Sequence, residues 1–153
     1  MKHKLNKSEI LKIQKNKPPY LMMDEAYEVI PGKSSKGYKI LDEDEWFFKV
    51  HWQGDPNMPG MLQIEALVQI CSLAIFIIPE FSGKIVYLSS ANNLKFIKKV
   101  IPNDKLDVHT KILSFSKGIA KCEGMAFVNN LKVCSANFIL IQPDEFQKYI
   151  PQK

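Results

Sequence analysis

HWQGDPNMPG-MLQIEALVQICSLAIFII, residues 51–78, is the stretch on which the reading of this chain turns. A loop rich in turn formers leads into a long apolar segment. From Met61 to the residue before Pro79 the segment reads as a helix of roughly 27 Å at about 1.5 Å per residue. Its apolar residues fall on nearly every face, which marks a helix buried all round. Glu65, Gln69 and Ser72 break that pattern at i, i+4 and i+7, so they share one face of the rod. A carboxylate there is costly unless it has partners or a task. His51, on the preceding loop, is the nearest candidate to work with it. The run reaches the lower edge of membrane-spanning length. Its Glu and two Gln residues argue against a span and for a helix inside a folded domain.

Outward from this stretch, the chain reads mostly as strands. Near the N-terminus, Ile10, Leu11 and Ile13 suggest a short amphipathic helix begun by Asn6 or Ser8 and stopped by Pro18 and Pro19. Strands are expected up to the Pro31-Gly32 turn, over SSKGYKI, and over residues 45–50 (EWFFKV), the last delivering His51. After the helix, IVYLSS reads as a strand and NNLKFIKKV as its extended continuation. KLDVHTKILSFS, GIAKCEGMAFVNN and LKVCSANFILIQP follow, the last two joined by an Asn129-Asn130 turn suited to a hairpin. One buried helix and a run of antiparallel strands describe an α+β domain, a curved sheet wrapped around the helix, over residues 1–153.

Composition narrows the function classes. The 153 residues are 46% hydrophobic and 24% charged, ordinary values for a folded domain. The net charge of +5 comes from lysines without a single arginine, which disfavours nucleic-acid readout. Cys71, Cys122 and Cys134 are odd in number and lack metal-type spacing, so they read as buried thiols in a reducing compartment. The first residues lack the apolar core of a signal peptide, and a cytoplasmic protein is expected.

HWQGDPNMPGMLQIEALVQ, residues 51–69, closely resembles the active-site segment of the 3-hydroxyacyl-[acyl-carrier-protein] dehydratases of type II fatty acid synthesis. That family carries a His-aromatic-x-Gly loop, a Pro-Gly at the helix start and an acid on the helix. Here Glu65 follows His51 by fourteen residues, the family's spacing. Gly54-Asp55-Pro56 and Met58-Pro59-Gly60 look more like the dehydratase-isomerase branch, whereas a Glu as the acid is similar to the broad-chain-length, dehydratase-only branch. Residues 18–33 (PPYLMMDEAYEVIPGK), 87–106 and 120–138 resemble further segments of that second branch. Two departures stand out: His-Trp-Gln-Gly replaces the usual His-Phe-Pro-Gly, and Asn16-Lys17 replaces the His-Arg often found there.

The resemblance implies a hotdog fold. It also implies a homodimer or trimer of dimers, with His from one subunit and the acid from the other, and acyl chains borne on the phosphopantetheine of acyl carrier protein. No metal or other cofactor is expected. His51 suits the base, since an imidazole titrates near ~6.5. Glu65 suits the acid if burial raises its pKa, an effect the helix dipole opposes. Gly60, Met61 and Gln69 are expected to contact the substrate, Gly60 through its backbone N–H and Gln69 by orienting Glu65. Lys95, Lys98 and Lys99 form either a solvated edge or the docking site for the acidic carrier protein. His109 is expected to be a surface or satisfied histidine. The rival readings are a hotdog acyl thioester hydrolase and a non-catalytic acyl-binding module of a specialised lipid or polyketide pathway.

Overall fold

A computed structural model describes residues 1–151 of the chain. Seven strands form one antiparallel sheet: β1 His3–Asn6, β2 Glu25–Ile30, β3 Ser34–Ile40, β4 Tyr87–Phe96, β5 Lys105–Ser116, β6 Ile119–Val128 and β7 Leu131–Ile141. Their spatial order is β1-β2-β3-β5-β6-β7-β4. The sheet curves around the central helix, α3 Gly60–Phe76, in the expected hotdog architecture. Three short α-helices, α1 Lys7–Ile13, α2 Trp46–Val50 and α4 Pro143–Gln147, and a single 3-10 turn, Pro79–Phe81, complete the fold among the described residues.

Every residue of α3 from Ala66 to Phe76 is buried, the polar Gln69 and Ser72 along with their apolar neighbours. Leu67 packs on β6 at Gly124, where an added Cβ would stand 3.3 Å from the leucine side chain and from Phe138. Glycine there lets the helix settle close to the sheet. The far end of α3 is tied to the β2–β3 turn, where the Gly32 N–H donates to the Ala74 carbonyl at 2.7 Å. In the β6–β7 hairpin, Asn129 and Asn130 take φ of 49° and 62°, the left-handed pair such a turn uses.

Four details differ from the sequence reading. Residues 46–50 form α2 rather than a strand. Phe47 and Phe48 are adjacent and both buried, which a helical turn packed on the domain accommodates and the in-out alternation of a half-buried strand does not. The central helix stops at Phe76, because Ile78 precedes Pro79 and is driven to an extended conformation. The extended run after residue 86 ends at Phe96, leaving Lys98 and Lys99 on an irregular connection to the turn at Asn103. Finally, β1 is a strand that four residues were too few to announce; it leads into the Asn6–Glu9 capping box of α1. Among the described residues no helix is long and apolar enough to cross a membrane.

Candidate active site

His51 is the C-cap of α2, and its position is fixed from both sides. Upstream, Glu45 at the N-cap of α2 forms a largely buried ion pair with Lys39 of β3, pinning the helix to the sheet. The His51 N–H closes the last turn on the Phe47 carbonyl. Downstream, the chain curls back until the Asn57 carbonyl lies 3.0 Å from Nδ1 of the imidazole. A carbonyl only accepts, so Nδ1 carries the hydrogen and Nε2 is left with a free lone pair. The Trp52 ring stacks on the imidazole at 4.9 Å.

His51 opens onto a cleft of about 570 Å³ bordered by Gly60 and Met61 at the start of α3, by Phe96 at the end of β4, and by Lys98 and Lys99. Pro59 stands at the N-cap of α3, and the first bonds into the helix are donated by Leu62 and Gln63 to the Pro59 carbonyl. The N–H groups of Gly60 and Met61 precede those bonds and lack intrahelical acceptors, so they are available to an oxygen. Gly60 is needed for a neighbour as well: an added Cβ would stand 2.8 Å from the Phe96 ring.

Glu65 lies on the same helix but on a different cleft, of about 160 Å³, lined by Gln69, Ser72 and Phe76 of α3, by Lys15 and Asn16, and by Tyr87 and Leu88 at the start of β4. Burial raises the Glu65 pKa; hydrogen bonds from Gln69 and then Tyr20 act in the opposite direction. Gln69 is fully engaged. Its Nε2 lies 2.9 Å from Glu65 Oε1 and 3.0 Å from the Tyr20 carbonyl, and its Oε1 accepts the Met22 N–H at 2.8 Å. Tyr20 faces the same carboxylate, and its own pKa is raised by burial and then by the Glu65 charge. Ser72 returns its hydroxyl to the Val68 carbonyl.

Within one chain, then, His51, Gly60, Met61, Lys98 and Lys99 are gathered at one cleft, and Glu65 and Gln69 at another, with no lining residue in common. Lys95 borders neither and sits exposed on β4. His109 contacts the Tyr27 hydroxyl and Asp107 on the sheet, a satisfied histidine as expected. Phe96, Trp52, Asn57 and Tyr20 escaped the sequence reading. Their signal was faint: an aromatic or amide beside each motif, with nothing to say that it faced the site.

A family model described as the FabA-like domain matches residues 15–137. The chain belongs to the FabA-like family. Among curated relatives, the 3-hydroxyacyl-[acyl-carrier-protein] dehydratase FabZ of Clostridium tetani is 42% identical over 135 residues, covering 87% of this chain and 94% of that protein. The FabZ of Syntrophomonas wolfei is 34% identical over 138 residues, covering 90% and 96%. Among solved structures, the dehydratase heterocomplex ApeI:P from Xenorhabdus doucetiae superposes with a TM-score of 0.73 at 12% identity, over 94% of this chain and 97% of that one. That structure attests the fold of this FabA-like chain; the sequence relatives attest its family.

Proposed function

We propose that His51 and Glu65 are the base and the acid of a 3-hydroxyacyl-[acyl-carrier-protein] dehydratase of fatty acid biosynthesis, and that a second copy of the chain completes each site. The activity follows from membership of the FabA-like family and from relatives that bear that name. In the reaction, Nε2 of His51 takes the proton from C2. The electron pair forms the C2=C3 double bond, the C3–O bond breaks, and the hydroxyl leaves as water with the Glu65 proton. The thioester oxygen, on which charge develops, is held by the N–H groups of Gly60 and Met61. The proton gained by His51 returns to Glu65 before the next turnover.

One observation carries the shared site: the two clefts lie at opposite ends of β4, Phe96 beside His51 and Tyr87–Leu88 beside Glu65. β4 is the terminal strand of the sheet, nine of its ten residues are exposed, and Leu88 and Phe96 are among them. An apolar open edge of this kind is a template for a further strand. Antiparallel pairing of β4 with its copy about a two-fold axis sets the Phe96 end of one protomer beside the Tyr87 end of its partner. The His51 cleft of each then faces the Glu65 cleft of the other. A homodimer is the smallest assembly of this design, and a trimer of dimers repeats it.

Acyl carrier protein, acidic and bearing the acyl chain on phosphopantetheine, meets the lysine-bearing rim formed by Lys95 and Lys98, with Lys99 beside them. The three buried free thiols suit the reducing cytoplasm. Incubation with 3-hydroxyacyl carrier-protein thioesters of several chain lengths tests the activity by mass. Loss of one water supports the dehydratase, release of the bare carrier points to a hydrolase, and an unchanged substrate points to a binding module. Mixing inactive His51→Ala with inactive Glu65→Gln protomers tests the sharing. Partial recovery is expected, since a mixed dimer holds one intact site, and no recovery after confirmed subunit exchange confines the site to one chain.

A further inference from the structure

The loop that follows His51 is fastened at the border of the cleft. Lys99 Nζ lies 2.6 Å from Asp55 Oδ2, joining residues 44 apart in sequence. The Asp55 carbonyl accepts the Asn57 side-chain amide at 2.8 Å. The Asn57 carbonyl, in turn, receives Nδ1–H of His51. One residue on, the Met58 N–H donates to the Val100 carbonyl at 2.8 Å, so the loop is stitched to the segment carrying Lys99 at two adjacent points. Asn57 is 8% exposed, and its amide has exchanged water for the Asp55 carbonyl.

We infer that Asn57, Asp55 and Lys99 are positioning residues for His51: they hold the Asn57 carbonyl where it fixes the imidazole and aims Nε2 at the substrate. The inference rests on His51 being the base. It gives Lys99 a part different from that of Lys95 and Lys98, because its charge is already answered by Asp55. The Asp55–Lys99 pair is exposed enough that its separate effect is modest. Asn57 is enclosed and acts one bond from the imidazole, so its loss is felt more strongly. Small displacements of a base are costly in rate, because reaction requires near-contact geometry.

The test uses a carrier-free 3-hydroxyacyl pantetheine thioester, on which carrier docking has no bearing. Lys99→Met and Asp55→Asn should each lower kcat about 5-fold, ~1 kcal/mol by the transition-state relation, with KM nearly unchanged. Asn57→Ala should lower kcat by ~10-fold or more. Lys99→Arg should keep parental turnover, and the exchanged pair Asp55→Lys with Lys99→Asp should recover most of what the single changes lose. Thermal midpoints should stay near the parent's. Parental kcat in Lys99→Met and Asn57→Ala overturns the inference, and so does a loss that tracks a lowered midpoint and is not recovered by the exchanged pair. A Lys99→Met variant impaired only on the carrier-bound substrate makes Lys99 a docking cation instead. His51→Ala is run alongside. If it still turns over, the base assignment falls and the inference with it; if it is dead while the loop variants are normal, only the inference falls.

Discussion

Gln69 stands one helical turn beyond Glu65 on α3 and holds its carboxylate at 2.9 Å, while the same amide nitrogen reaches the Tyr20 carbonyl and the amide oxygen takes the Met22 N–H. One side chain therefore fastens the N-terminal segment to the helix and sets the orientation of the acid. The two jobs are separable by experiment, since one concerns rate and the other stability.

Gln69→Met keeps the length of the side chain and removes all three hydrogen bonds. It leaves the buried Met22 N–H without a partner, a loss of about 1–3 kcal/mol that denaturant titration will read as a lowered midpoint. Turnover should fall by ~10-fold as Glu65 loses its orientation. Parental turnover in the destabilised variant would mean that Gln69 is purely a structural tie.

Glu65→Gln preserves size and removes the proton that leaves with the hydroxyl. Dehydration and the reverse hydration should both drop by ~100-fold or more, measured on folded protein. Near-normal rates would remove Glu65 from the acid role.

The same variant has a pH signature in stability. Burial raises the Glu65 pKa above its ordinary 4.5, so the native state holds this proton to higher pH than the unfolded chain does. Stability contributed by the protonated form is full below pH 4.5 and is lost as pH rises through the raised value. Glu65→Gln should therefore be more stable than the parent at pH 7, with a gain that shrinks to nothing as the pH is lowered past 4.5. A gain that grows on acidification would contradict the burial argument.

Lys95→Glu with Lys98→Glu should raise KM for a carrier-bound substrate by ~10-fold or more, with weaker salt dependence and little change in kcat. A short pantetheine thioester should be handled as before. Equal losses on both substrates would place the damage in the fold rather than in docking.

The central helix and the base and acid candidates were legible because each is a local pattern: a long, mostly apolar run, a His-Trp-Gln-Gly loop, one Glu on the polar line of an otherwise apolar helix. The long strands and the Asn129-Asn130 turn were legible by alternation and turn chemistry. α2 was not, because five residues with two phenylalanines satisfy a strand as well as a helical turn until the buried side is known. The division of His51 and Glu65 between two clefts was implied only by the family resemblance, since fourteen residues of spacing say nothing about which way each side chain faces. Nor does any local pattern announce Lys99–Asp55 or Lys39–Glu45, which are made only when distant segments meet.

The three cysteines have a use at the bench. All are buried: Cys71 is pushed well up by its hydrogen bond with Cys122 and then by burial, and Cys134 is pushed up to about 11 by burial. A thiol without exposure is inert to alkylating reagents. Iodoacetamide should leave the native chain unlabelled and capture it only during opening, so the rate of mass increase becomes a clock for how often the sheet lets go of the helix, read without adding a single probe.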